Sequence, residues 1–286
     1  MCPSKLVPTR AGAVKLIVCD LDGTLLNSQK QISSASLAAI RAARERGIFV
    51  TICTGRIPGM MEAYSRALEI QGFFIATNGA VIVDTRDNST PFHDCIDGEK
   101  ALPLLEFCER RGFDLIAATA EACYYSPGSE RLKRFVQYNE IAARDNLRQI
   151  PLYPFDSDYR KFAGMKIHKL LVSGLSGQQQ RETEEFIRTL PHIGYTSSEP
   201  QLLDIIAAGV DKGTGVQNLA RLMGLAREEI CVFGDYHNDI PMFEAAGFSV
   251  AMGNGDDEVK NRATVVTGTN DEDGVATAIE KYFLGS

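Results

Sequence analysis

The stretch VKLIVCDLDGTLL, residues 14–26, is an apolar run that ends abruptly in two acids one residue apart. Val14, Leu16, Ile17, Val18 and Cys19 are apolar without alternation and partly β-branched, which predicts a short strand buried on both faces of a parallel sheet. Asp20 and Asp22 then sit where that strand stops. Gly23 follows, and glycine lets the backbone turn sharply and approach a ligand closely. In an open α/β sheet, ligands bind beyond the carboxyl ends of the strands. Two carboxylates held there call for a positive companion, such as a metal ion or a phosphate with its cation. A D-x-D-G pattern alone also suits a solvated turn, so matching parts downstream must decide between the two.

Those parts recur in order. Residues 33–46 (SSASLAAIRAARER) place Leu37, Ile40 and Ala43 at helical spacing, with Ser33 or Ser34 as N-cap and Gly47 as the stop. Residues 48–53 (IFVTIC) predict a second strand ending in Thr54-Gly55-Arg56, 60–69 a helix, and 72–76 (GFFIA) a third strand ending in Thr77-Asn78-Gly79. Strand, helix, strand, helix, strand with short loops implies a parallel sheet with helical crossovers.

The texture then changes. Residues 81–84 and 92–96 flank the polar stretch TRDNSTP and read as two strands joined by a loop. Helices are predicted at 98–111, 129–140 and 178–190, and strands at 113–118, 124–126, 165–173, 193–197 and 202–206, while 146–159 is irregular. Short alternating strands of this kind predict an inserted domain of antiparallel α+β character at 83–208. Parallel texture resumes with a helix at 213–223, a strand at 229–233 ending in Gly234-Asp235, a helix at 238–246, strands at 248–252 and 264–266, and a closing helix at 275–283. The core is therefore expected at residues 1–82 and 209–286, with 1–13 a flexible tail.

The whole chain has 286 residues, 44% hydrophobic and 23% charged, within the range of ordinary globular proteins. Its 30 basic and 37 acidic side chains leave a formal charge of −7, which argues against a general nucleic-acid binder. No stretch approaches the roughly 18 uncharged apolar residues of a membrane span, and the N-terminus lacks the apolar segment of a secretory signal. Seven cysteines, at 2, 19, 53, 95, 108, 123 and 231, form no C-x-x-C pair, so a reducing, cytoplasmic setting is expected rather than a disulfide or zinc framework.

Four strand ends or adjoining turns thus present polar groups on one edge of the expected sheet: Asp20 and Asp22; Thr54 with Gly55 and Arg56; Lys212 opening a helix; and Asp235 with Asn238 and Asp239. Together they suit phosphoryl transfer, which needs a nucleophile in line, charge stabilisation and a proton source. Asp20 is placed to attack phosphorus and form an aspartyl phosphate. Asp22 is placed to protonate the leaving oxygen and later take a proton from water. The repulsion between nucleophile and phosphate calls for Mg²⁺, held by Asp20 and Asp235, with the backbone carbonyl of Asp22 as a third donor. Asp239 and Asn238, four and three residues after Asp235, are expected as a ligand or as supports to the ligands. Thr54 would give its hydroxyl and backbone N–H to the phosphoryl group, and Lys212 a point charge that also keeps Asp20 ionised.

DLDGT at 20–24, Thr54 at the end of an apolar strand, DKG at 211–213 and GDYHND at 234–239 together resemble the haloacid dehalogenase superfamily of phosphatases. The TGR at 54–56, the TNGA at 77–80 and the large insertion after it look like the Cof-like branch with its type IIB cap. The resemblance covers the chain from Val14 onward. It implies a Rossmann-like core with an inserted cap and a Mg²⁺-dependent phosphomonoesterase acting on small metabolites such as sugar phosphates. It also implies Asp20 as nucleophile, Asp22 as acid and base, Thr54 and Lys212 as phosphate binders, and Asp235 and Asp239 as metal acids. The second Asp, which separates phosphatases from dehalogenases in that family, is present.

Other assignments stay open at this level. Arg56 and Asn78 are loop residues or substrate contacts, and His237 is a rim residue or a substrate contact. Tyr124, Tyr125 and Ser126 either line a pocket or cover the sheet, while Cys19 and Cys53 continue apolar strands and are expected in the core. Two rival functions remain: a phosphomutase like the capped phosphomannomutases, and a non-catalytic regulatory module, against which intact Asp20, Asp22, Lys212 and Asp235 argue.

Overall fold

The computed structural model describes residues 14–156 and 158–285; the tail expected at 1–13 lies outside the described residues. In chain order the first segment contains β1 (Leu16–Cys19), α1 (Ser34–Glu45), β2 (Phe49–Ile52), α2 (Glu62–Ala67), β3 (Phe73–Ala76), β4 (Val81–Asp84) and β5 (Phe92–His93). A middle segment holds β6 (Ile96–Asp97), α3 (Gly98–Arg111), β7 (Asp114–Thr119), β8 (Cys123–Tyr125), α4 (Lys133–Arg144), β9 (Leu152–Pro154), β10 (Lys166–Ser173), α5 (Gly177–Arg188), β11 (Ile193–Thr196) and β12 (Leu202–Ala207). The last segment holds α6 (Lys212–Met223), β13 (Ile230–Gly234), α7 (Ile240–Ala245), β14 (Phe248–Ala251), α8 (Asp257–Arg262), β15 (Val265–Val266) and α9 (Gly274–Ile279).

The core sheet is parallel in the order β15-β14-β13-β1-β2, with β1 hydrogen-bonded on both sides. Its alternate side chains face opposite layers, as strand geometry requires. Ile17 and Cys19 pack with Ala39, Ile40 and Ala43 of α1 and with Val275 and Ile279 of α9. Leu16 and Val18 pack with Val216 and Leu219 of α6 and with Met242 and Phe243 of α7. Both layers exclude water, which is why the strand is apolar without alternation. Ser33 caps α1, its side chain accepting from the Ser36 N–H.

One expectation changes here. β3 meets the parallel sheet through an isolated parallel bridge between Cys53 and Ile75 and a hydrogen bond from the Thr51 hydroxyl to the Phe73 carbonyl, and its ladder is antiparallel, with β4 and then β5. The cause is local: Thr77, Asn78 and Gly79 all have positive φ (55°, 52° and 102°), so the chain turns straight back. Gly79 is required there, since a Cβ would lie 2.0 Å from the Asp211 carbonyl oxygen.

The middle segment forms a second sheet, ordered β11-β12-β10-β7-β8-β9, with β6 beside β10. Its ladders are antiparallel except β8 with β9. β9 lies within the stretch expected to be irregular; three residues ending in a proline carry no periodicity to read. Leu115, Ala117, Leu170 and Val172 face Leu104 and Leu105 of α3 and Ile187 of α5. Ile116, Ala118, Leu171 and Leu202 face the other way, against Phe135 and Tyr138 of α4 and against Ile57 and Met60 of the core. This inner face therefore lies over the loop that follows β2. Among the described residues no helix is long and apolar enough to cross a membrane.

Candidate active site

Asp20, buried at the end of β1, and Lys212, buried at the first turn of α6, meet at 2.5 Å between Nζ and Oδ1. Asp211 and Thr214 cap α6 reciprocally and fix where Lys212 leaves the backbone. The same ammonium reaches Asp239 Oδ1 at 2.5 Å. The other oxygen of Asp239 accepts from the backbone N–H groups of Asp235 and Tyr236, at 2.8 and 3.0 Å. Asp235 in turn accepts from the Thr24 hydroxyl at 2.7 Å. Carboxylate oxygens of Asp20, Asp235 and Asp239 all lie within 4.8 Å of one another.

Three carboxylates and one ammonium are an unbalanced set. Burial pushes the Asp20 carboxyl up, and Asp239 and Asp235 add to this, so it stands well above its ordinary value despite Lys212. Burial, followed by the charge of Asp239, pushes Asp235 up to about 7. Burial lowers the affinity of Lys212 for its proton, but Asp20 and Asp239 more than reverse this and hold it charged. A buried, all-oxygen cluster with an excess of negative charge fits a hard divalent cation.

Asp22 is not part of that cluster. Arg56 clasps its carboxylate, Nε to Oδ2 at 2.7 Å and Nη2 to Oδ1 at 2.9 Å, and Lys30 adds a contact at 3.1 Å. Burial works against the charged form, but Arg56, Lys30 and Arg134 outweigh it and hold the Asp22 carboxyl well below the usual carboxylate range. Arg56 is itself fixed by the Tyr64 hydroxyl at 2.9 Å and lies over that ring.

Thr54 is buried beside this pair. Its backbone N–H, expected to face a phosphoryl group, donates instead to the Ile75 carbonyl at 3.0 Å, because β2 meets β3 at this point. Its hydroxyl accepts from the Arg56 N–H at 3.2 Å. Asn78 is wholly buried and lies under Gly55, where a Cβ would come 3.0 Å from its side-chain oxygen. That oxygen accepts from Asn238 Nδ2 at 3.2 Å. Asn78 therefore supports the loop and Asn238 from beneath, while Asn238 reaches the cavity.

Other sequence candidates stand apart. His237 pairs with Asp256 at 2.8 Å on the surface. Tyr124 packs on Tyr153 and Phe162 within the middle segment, away from Asp20. Burial pushes the Cys19 and Cys53 thiols far up, as befits core side chains rather than nucleophiles.

The cavity above Asp20 has walls from both sheets. From the core come Asp20, Asp22, Thr54, Arg56, Lys212 and Asn238; from the middle segment come Lys169 and Leu202 of its sheet, Arg134 and Phe135 of α4, Arg131 of the turn before α4 and Glu199 of the loop before β12. Lys169 forms a buried ion pair with Asp204 and donates to the Gly55 carbonyl at 2.8 Å, so it joins the two sheets at the site. None of the second group is marked by a short motif. The available signal is a charge inside an apolar strand, as in KIHKLLVS around Lys169 and LLDIIA around Asp204.

The haloacid dehalogenase-like hydrolase family matches residues 17–279. The chain is 30% identical to a 5-amino-6-(5-phospho-D-ribitylamino)uracil phosphatase of Bacillus subtilis, over 95% of this chain and 99% of that protein. It is 28% identical to a pyridoxal phosphate phosphatase of Escherichia coli, over 94% of this chain and 99% of that protein. A solved haloacid dehalogenase-like hydrolase from B. subtilis superposes with a TM-score of 0.81 at 29% identity, over 93% of this chain and 99% of that one. A solved sugar phosphatase of HAD subclass IIB superposes with a TM-score of 0.77 at 26% identity, over 94% of this chain and 99% of that one.

Proposed function

The chain belongs to the haloacid dehalogenase-like hydrolases and is a phosphatase, and on that footing we propose that it hydrolyses phosphomonoesters of small metabolites, sugar phosphates among them, through an aspartyl phosphate on Asp20. One observation carries this reading: the Lys212 ammonium is shared between Asp20 and Asp239 at the mouth of a parallel sheet, with Asp235 alongside.

In this scheme Lys212 holds one oxygen of Asp20, and the other attacks phosphorus in line with the leaving oxygen. The new O–P bond forms as the ester P–O bond breaks, and the departing alkoxide takes a proton from Asp22. A water then attacks the aspartyl phosphate and gives its proton to Asp22. Asp20 is restored and inorganic phosphate leaves. Asp22 stands here as a carboxylate clasped by Arg56, the form needed for the second half of the cycle; for the first half it must take up a proton and release that clasp. Thr54 offers its hydroxyl to the phosphoryl oxygens, and Lys212 its charge.

Asp20 and Asp235 would hold a divalent cation, Mg²⁺ by the hardness of the donors, with the Asp22 backbone carbonyl as a further donor. Asp239, already engaged by Lys212 and two N–H groups, is suited to holding Lys212 and the turn at Asp235 in place. When bound, the cation offsets the repulsion between Asp20 and the phosphate and stabilises charge in the transition state.

The middle segment acts as a cap over the site, near the 83–208 read from the sequence. That β5 pairs with β4 and β6 with β10 supports an outgoing crossover at Asp94 and Cys95, later than the expected start at 83. Closure of the cap would exclude water from the first half of the cycle. The scattered cysteines, none in a C-x-x-C pair, support a reducing setting.

The test is phosphate release from a panel of esters with and without Mg²⁺, native chain against Asp20→Asn. Release that needs both Mg²⁺ and Asp20 is expected. Isomerised hexose phosphate without release would favour a mutase, and no reaction at all would sink the catalytic reading.

A further inference from the structure

We infer that the cap carries a subsite for a second anionic group, a carboxylate or a second phosphate, on the leaving group of the substrate. This rests on the phosphatase reading and names the kind of ester it would take.

The cap side of the cavity brings three cations to the wall opposite Asp20: Lys169, Arg131 and Arg134. Lys169 is neutralised, since its ammonium is paired with buried Asp204 and donates to the Gly55 carbonyl. The two arginines are not, because they share a single carboxylate. Arg131 makes a fork on Glu199, Nη1 to Oε2 at 2.8 Å and Nη2 to Oε1 at 2.6 Å. Arg134 Nη2 closes on the same Oε1. Two guanidiniums sharing Glu199 leave an excess of positive charge on this wall of the cavity, where Asp204 and Asp114 are the further carboxylates that act on Arg131.

Donors remain as well as charge. A guanidinium has five N–H groups, and Arg134 engages Glu199 through one nitrogen. Arg131 Nε is shielded from solvent and has no hydrogen-bond partner. Arg134 is close enough to the catalytic end for its charge to help hold the Asp22 carboxyl down. The wall between the two ends is apolar, made by Ile57, Met60, Ala118, Phe135, Leu171 and Leu202. A short carbon skeleton or ring fits such a wall. A neutral polyol would gain hydrogen bonds yet leave the extra charge unmatched, whereas a carboxylate or phosphate oxygen would match it.

The experiment compares kcat/KM of the intact protein with Mg²⁺ on matched ester pairs: phenyl phosphate against 4-carboxyphenyl phosphate, glycerol 3-phosphate against 3-phosphoglycerate, and glucose 6-phosphate against glucose 1,6-bisphosphate. Pairs one and two report a carboxylate and pair three a phosphate. The expected result is that the anionic member of at least one pair is favoured tenfold or more, mainly through KM. Arg134→Gln should bring that ratio close to one, and Glu199→Gln, which frees both guanidiniums, should enlarge it. Ester turnover with no preference for the anionic member, or a ratio untouched by Arg134→Gln, would overturn the subsite while leaving the phosphatase reading intact. If no ester is turned over, p-nitrophenyl phosphate included, the phosphatase reading falls and the subsite falls with it.

Discussion

Arg56 holds both oxygens of Asp22, through Nε at 2.7 Å and Nη2 at 2.9 Å, in a parallel fork that keeps the carboxylate ionised. Asp22 is thereby held ionised with a weakened affinity for a proton, so the clasp must loosen before Asp22 can take one up and pass it on. Leaving groups that depart only when protonated must depend on it most. Asp22→Ala should cut turnover of an alkyl phosphate by about 10²–10⁴-fold. With p-nitrophenyl phosphate, whose leaving group needs no proton, the first half of the cycle should persist while the second stalls. Stopped-flow absorbance should then show a burst of one nitrophenolate per active site followed by a slow steady state. Equal losses on both esters with no burst would remove Asp22 from the proton-transfer role.

The Asp20, Asp235 and Asp239 cluster makes metal response depend on pH. The folded-state value of Asp235, about 7, lies above its ordinary value. A raised carboxyl opposes folding increasingly as pH climbs from about 4 toward 7, where the group must ionise in place, and no further beyond. Mg²⁺ takes the ionised form and offsets that cost. Thermal melts in chelator and in excess Mg²⁺ should therefore diverge more at pH 8 than at pH 5. Asp235→Asn should raise the melting temperature in chelator at pH 8 and abolish most of the Mg²⁺ response. A Mg²⁺ shift of equal size at both pH values would contradict this assignment.

Gly23 has φ +87°, and a Cβ there would lie 2.3 Å from Asp235 Oδ2. Gly47 provides a matched control, with φ +81° and nothing within 4 Å of the would-be Cβ. Left-handed backbone costs a non-glycine residue about 1–2 kcal/mol wherever it occurs. Gly47→Ala should show that loss of stability alone. Gly23→Ala should show it together with displacement of Asp235, seen as a tenfold or greater rise in the Mg²⁺ concentration for half-maximal activity. The same Mg²⁺ requirement in both variants would mean that Asp235 tolerates the intruding methyl without loss of function.

The legible part of this molecule is the part whose residues place demands on the backbone. Asp20, Gly23, Thr54, Lys212 and Asp235 each stand at a strand end or helix start, where neighbouring apolar runs fix position to within a residue. Contacts between distant elements are not written in that way. The diversion of the Thr54 N–H to Ile75 follows from the meeting of β2 with β3, and the Arg56 clasp on Asp22 from side-chain reach across a cleft. The Arg131, Arg134 and Glu199 group assembles from a helix turn and a loop 65 residues apart, with no pattern linking them until the second sheet brings them together.

Lys169 and Asp204 form the buried ion pair at the seam between cap and core, and Ser198 gives its hydroxyl to the same carboxylate at 2.5 Å. Removing one partner of a buried pair leaves a charge without compensation and typically costs about 3–5 kcal/mol, whereas replacing both with apolar groups is often neutral. Lys169→Met alone should therefore lower the melting temperature sharply, and Lys169→Met with Asp204→Leu should restore most of it. The double variant still lacks the bond from Nζ to the Gly55 carbonyl. Its cap is no longer tied to the loop carrying Thr54 and Arg56, so amide hydrogen exchange at residues 55–57 should speed up and KM for the ester should rise while the fold stays intact. If exchange and KM in the stable double variant matched those of the native chain, the link would be a feature of stability alone and the cap would be held by its apolar face, through Phe135, Leu171 and Leu202 against Ile57 and Met60.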